Sequence, residues 1–304
     1  CDHYGATLAT GRVALSAVKG VNAIIPDSMM SGMSGALRKL SGDALPQWTT
    51  SLPSGQKFKA ERTISESADK VVYFSSCINR TMGNPREKST EAPLDKVVIS
   101  ILERAGYEVI IPSNVENLCC GMPFSSKGFT EQGKRKNKEL EDALRVASKN
   151  GRYPILCDMS PCSKTIAQNF PADLKVDDTV EFIHKYLKDK LDFTPVDEPI
   201  VIHTTCSTRK TGLADMFIDI AKMCSIKVTV PTDVGCCGFA GDRGFTFPEL
   251  NKSALRHLKE GIPSDTKLAF STSKTCEIGL TEETGLDYRS IFYLVDRVTT
   301  AKTV

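Results

Sequence analysis

VVYFSSCINRTMG at residues 71–83 and IVIHTTCSTRKTG at residues 200–212 are the two stretches whose reading decides the fold. Each opens on a short β-branched and aromatic run, which reads as a buried strand. Each continues with two small hydroxyl residues, a cysteine, and an arginine three residues later. Strand, cysteine and arginine fall in the same register, so the chain repeats itself.

The repeat extends on both sides of these stretches. After the strand at 71–74 a helix is expected at 90–105, with Leu94, Val97, Val98, Ile101 and Leu102 on one face and Gly106 as its stop. A strand at 107–111 ends at Pro112 and leads to Cys119-Cys120-Gly121. A helix at 131–149 and a strand at 153–157 follow, the strand running into Cys162. A short helix at 162–169 and another at 179–190 close this half. In the second half the strand at 199–203 is followed by a helix at 212–223 and a strand at 226–230 ended by Pro231. The loop then carries Cys236-Cys237-Gly238. A helix at 248–260, a strand at 267–270, Cys276 and a helix at 290–300 complete it. Alternation of this kind implies parallel strands with crossover helices. The expected fold class is α/β: two pseudo-symmetric parallel-sheet units, each with a CCG motif, preceded by a helical N-terminal segment. Expected boundaries are 1–65 for the helical lead-in and linker, 66–194 for the first unit and 195–304 for the second. The Pro-containing acidic stretch at 191–198 is read as the linker between the units. Within the lead-in, a helix is expected over 1–25 and a weaker one, broken by glycines, over 28–42.

Bulk properties narrow the function. The 304 residues are 40% hydrophobic and 25% charged, with a net charge of +2, so no basic stripe argues for nucleic acid. No run is long and apolar enough for a transmembrane helix. The N-terminus has no signal-peptide pattern. The chain begins at Cys1 rather than methionine, which reads as a piece of a longer protein. A cytoplasmic location is expected, with peripheral association at the inner face of a membrane left open.

Cysteine is the anomaly, with 11 in the chain. The first half has Cys77, then 41 residues, Cys119-Cys120, then 41 residues, and Cys162. The second has Cys206, then 29 residues, Cys236-Cys237, then 38 residues, and Cys276. Each lone cysteine follows the first strand of its half, each pair the second, and each closing cysteine the third. In parallel α/β units the loops beyond the C-terminal strand ends converge, so four thiols are expected to meet in each half. Four thiolates suit either tetrahedral zinc or an iron–sulfur cluster. The spread ligands favour the cluster, and spacing alone leaves zinc open. Glycine after each pair is expected to let the backbone approach the centre. Arg80 and Arg209 are candidates for offsetting negative charge. His203 is a candidate hydrogen-bond partner of a sulfur, while the matching first-half residue is Phe74. Cys157 reads as a buried strand-end cysteine or a spare ligand, and Cys224 as core.

These motifs, with NLCCGMPFSSKG at 117–128, LCDMSPC at 156–162, GCCGFAGDRGFTFPEL at 235–250 and STSKTCEIGL at 271–280, resemble the CCG-domain iron–sulfur family. That family includes a subunit of heterodisulfide reductase, and the resemblance is strongest to the C-terminal region of FAD-linked, iron–sulfur-containing D-lactate dehydrogenases. It covers roughly residues 65–300. The resemblance implies that Cys77, Cys119, Cys120, Cys162, Cys206, Cys236, Cys237 and Cys276 are the cofactor ligands. In the family each half often closes on C-x-x-C, giving five ligands for a non-cubane cluster. Here Met159 and Ser273 stand at the fifth position, which makes two ordinary 4Fe–4S clusters the expected cofactors. The implied function is electron transfer from reduced flavin to an acceptor, with FAD on an upstream or separate flavin domain and not on this chain. No residue of the chain itself is assigned a catalytic role. Two other readings are a zinc-stabilised structural or interaction module and a catalytic module like that of heterodisulfide reductase.

Overall fold

The computed structural model describes residues 2–43, 45–58, 69–85 and 92–302. Cys1 and the boundary expected at residues 65–66 lie outside them.

The first sheet consists of β1 (Lys70–Phe74), β2 (Glu108–Ile110) and β3 (Ile155–Cys157), in the order β2-β1-β3 and all parallel. The chain leaves β1 through the helix Leu94–Arg104, whose Leu94, Val97, Val98, Ile101 and Leu102 are buried. Burial at that i, i+3, i+4 spacing stabilises by roughly 1.5–3 kcal/mol per large side chain. The helix Thr130–Ser148 carries the chain from β2 towards β3 and buries Leu140 and Leu144. Beyond β3, residue Asp177 pairs with Leu156 and extends the sheet edge.

Two short strands follow at different ends of the second half. β4 (Leu191–Phe193) pairs antiparallel with β9 (Thr299–Ala301). The stretch read as linker is therefore partly strand, held by the end of the chain. The second sheet has β5 (Ile200–Ile202), β6 (Val228–Thr229), β7 (Leu268–Ser271) and β8 (Tyr288–Ser290), in the order β6-β5-β7-β8 and all parallel. The fold class is α/β, with the repeat visible in strand order: the strand before each lone cysteine lies between the other two that carry cysteines. β8 and the helix Lys274–Thr284 were not anticipated from sequence.

Both N-terminal helices form, at Tyr4–Asn22 and Asp27–Leu40. The second runs unbroken through Gly32 and Gly35, against the expectation of a helix interrupted by glycine. One core cluster takes in side chains of both sheets, among them Val72, Leu102, Ile202 and Phe292. The helix Ile291–Val298 packs on the helix Leu94–Arg104, joining the halves. Among the described residues no helix is long and apolar enough to cross a membrane.

Candidate metal centres

The first set of cysteines forms where β1, β2 and β3 end. Cys77 opens the loop after β1, Cys119 and Cys120 lie beyond β2, and Cys162 sits in the first turn of the helix Ser160–Asn169 after β3. The four thiols meet in sequence: Cys77 with Cys119, Cys119 with Cys120, and Cys120 with Cys162. All four are buried. Crowding and burial act together against the thiolate. The Cys77 thiol is pushed well up, first by its contact with Cys119 and then by burial. Cys119 is pushed up to about 11, first by its contact with Cys120. Thiols so placed favour a cationic group among them, which would remove the penalty on their anionic forms.

The second set repeats this at the ends of β5, β6 and β7. Cys206 meets Cys236, Cys236 meets Cys237, and Cys237 Sγ lies 2.8 Å from Cys276 Sγ. Contacts with Cys206 and then Cys237 lower the Cys236 thiol, while Cys206 rises against Cys236. Cys237 and Cys276 are buried, but Cys206 and Cys236 are exposed, so this set opens to solvent where the first does not. Both sets are soft all-thiol donor groups, the ligand chemistry that iron–sulfur clusters and zinc take. They are recognised by these pairwise contacts; among the described residues no group of three or more His, Cys, Asp or Glu side chains is gathered around a single ion position.

Local structure explains the motif around each pair. Gly121 and Gly238 have φ of +87° and +72°, the left-handed region that glycine adopts without cost. A Cβ at Gly121 would lie 2.3 Å from Gly133 O, and one at Gly238 would lie 2.5 Å from Leu250 O. The glycine thus lets each CCG turn press against the helix that follows it. The amides of Gly121 and Gly238 each donate to the first sulfur of their pair, Cys119 Sγ and Cys236 Sγ, both at 3.4 Å. Asn137 Nδ2 fixes the first turn from behind by donating to Cys120 O at 3.1 Å.

Arg80 and Arg209 tie each lone-cysteine loop to its pair. Arg80 is fully buried; it donates to Ser75 O and, at 2.7 Å, to Leu118 O. Arg209 donates to Thr204 Oγ1 at 2.8 Å and to Val234 O at 2.9 Å. Arg80 also lowers the Cys77 thiol against the larger upward effects. Asp158, buried beside β3, accepts from Tyr73 and Ser75 hydroxyls and the Ser76 amide, holding the loop before Cys77.

One residue near the first set, Tyr4, escaped the sequence reading, and another, Cys157, was left between spare ligand and buried strand end. Tyr4, from the N-terminal helix, reaches the thiols of Cys77 and Cys119, and burial followed by the charge of Cys77 raises its hydroxyl. No periodicity marks it, because only tertiary packing brings that helix over the set. Cys157 contacts Cys162 and is raised chiefly by burial, so a fifth thiol adjoins this set while Ser271 stands in its place at the end of β7. Cys224 lies apart in the core. A cavity of about 230 Å³ lies beside the first set, lined by Cys77 and Cys162 and, from the second half, by Gly241, Asp242, Phe245 and Thr275.

A family model described as a cysteine-rich domain, CCG, matches residues 71–166 and 200–281. Over 268 residues the chain is 25% identical to a subunit of the anaerobic glycerol-3-phosphate dehydrogenase of Escherichia coli, covering 82% of this chain and 62% of that protein. It is 25% identical over 223 residues to lactate utilization protein A of Oceanobacillus iheyensis, covering 66% and 83%. To lactate utilization protein A of Bacillus velezensis it is 28% identical over 195 residues, covering 60% and 80%. The chain thus spans less than two thirds of the glycerol-3-phosphate dehydrogenase polypeptide it matches.

Proposed function

The chain belongs to the CCG family of cysteine-rich domains, and on that footing we propose that it is an electron-transfer module holding two iron–sulfur clusters. Cys77, Cys119, Cys120 and Cys162 would hold one, and Cys206, Cys236, Cys237 and Cys276 the other. The observation that carries this reading is the convergence of four thiols from three strand ends, made twice by one repeat. A cluster bound there supplies one-electron transfer without accepting a hydride.

The residues of the chain have supporting roles. Gly121 and Gly238 amides donate to sulfur, and the two arginines hold each ligand loop against its neighbour. Each family match falls within one of the units we propose, 66–194 and 195–304. The relatives, one named as part of a dehydrogenase and another for lactate utilization, support a redox role beside a separate oxidising partner. We propose that the partner is a flavin domain acting on a 2-hydroxy acid of the D-lactate type, and that the two clusters are 4Fe–4S. Cytoplasmic placement, with or without docking at a membrane face, belongs to the same proposal.

The test is turnover. Purified chain is mixed anaerobically with D-lactate and a dye acceptor, with and without the flavin domain. Dye reduction is expected only when that domain is present. Turnover by the chain alone, with no added flavin, would overturn the assignment.

A further inference from the structure

We propose that His203 donates its Nε2–H to a sulfur of the second centre and thereby raises that centre's reduction potential, an inference that rests on the iron–sulfur reading above. His203 follows β5 and stands three residues before Cys206. It is 2% exposed. Its Nε2 is buried and has no hydrogen-bond partner within the chain. Such an atom in a folded interior calls for a partner. The backbone of the residue is held on both sides: His203 N donates to Phe270 O at 2.9 Å, and Ser271 Oγ donates to His203 O at 3.3 Å. The residue is thus clamped to β7, the strand that leads to Cys276.

The ring and the Cys236 thiol lie close enough to act on each other's charge. Facing an anionic sulfur, a ring nitrogen with a lone pair is repelled and one with a proton is attracted. The Nε2–H tautomer is therefore the one that an occupied site selects. A donor to sulfur stabilises the electron-richer state and raises the potential. The first half has no histidine in the matching place: Phe74 is buried and carries no polar atom, and the side-chain hydroxyl that reaches its thiols is Tyr4 from the N-terminal helix. The centre beside the histidine is also the one whose Cys206 and Cys236 are exposed.

The test is anaerobic potentiometric titration of the iron-loaded chain as wild type, His203→Phe and His203→Gln. The second-half signal is assigned in a Cys120→Ser background. In His203→Phe, iron content is expected to hold while the second centre becomes at least tenfold harder to reduce, a fall of about 59 mV for one electron. The first centre should not move, and His203→Gln, which keeps an N–H donor, should recover part of the shift. An unmoved second potential at full iron content would overturn the proposal, as would equal shifts of both centres. Loss of second-half iron in both variants would also overturn it, by making His203 a ligand or a prop. Absence of iron from the wild-type chain would instead remove the centres themselves, and is seen before any titration.

Discussion

Arg80 and Arg209 show how much of the site is built by single side chains with more than one duty. Each guanidinium spans from the lone-cysteine loop to a carbonyl just before the cysteine pair. Hydrogen bonds to a charged donor contribute about 1.5–3 kcal/mol each, enough to fix the spacing of the thiols. The eight cysteines themselves were legible in the sequence, because strand ends in a repeated α/β pattern have a common destination. Tyr4 was not legible: its approach to Cys77 depends on how a distant helix packs. The proximity of Cys157 to Cys162 was left open by a spacing that matches no short ligand motif. At this scale the account predicts that Cys237→Ser removes the second centre's iron and leaves the first largely intact, since the two sets share no thiol. Iron analysis with electron paramagnetic resonance checks it; loss of both signals together would show a shared centre.

Helices and strands were legible where a pattern ran long enough to be periodic, as in the helix Leu94–Arg104. The helix Lys274–Thr284 was missed because it buries almost every residue from Lys274 to Thr281, charged ones included. A helix buried all round has no amphipathic stripe to read. β8 has three residues, YRS, and no alternation to detect. The start of the helix Thr179–Phe182 is better defined. Asp178 caps it, accepting from Val180 N at 2.9 Å and from Ser163 Oγ at 2.6 Å. Burial raises its pKa against the lowering by those hydrogen bonds. A carboxyl with a folded pKa above its unfolded value is most favourable when protonated, so its contribution falls as pH rises through the window between the two. Asp178→Asn removes that slope while an amide oxygen keeps the cap. Thermal unfolding from about pH 4 to about pH 6 should give a profile for the variant that gains on the wild type as pH rises, with a cap loss under about 0.5 kcal/mol. A variant that loses ground as pH rises would show that the ionised carboxylate is stabilising.

The two halves act as one body because polar groups cross between them as well as core side chains. Ser160 N donates to Thr272 O at 3.0 Å, joining the loops that precede Cys162 and Cys276. Lys274 Nζ, buried beside Cys276, donates to Asn84 Oδ1 at 3.1 Å and lies 2.9 Å from Glu277 Oε2 in an ion pair. Asn84 in turn donates to the Tyr293 hydroxyl at 2.9 Å. The N-terminal helix is tied to the first half by Arg12 and Glu116 at 3.0 Å, so the lead-in becomes a wall of the first site. The twofold repeat was legible in the sequence, but its closure was not, because the pairing of β4 with β9 joins residues far apart in the chain. The central claim, that the two repeats hold two iron–sulfur centres, is tested most directly by metal and sulfide analysis of anaerobically purified chain, with its visible spectrum. The account predicts about four irons and about four sulfides per half, with absorbance near roughly 400 nm that bleaches on reduction. Iron near zero, with about one zinc per half and no visible band, would contradict it.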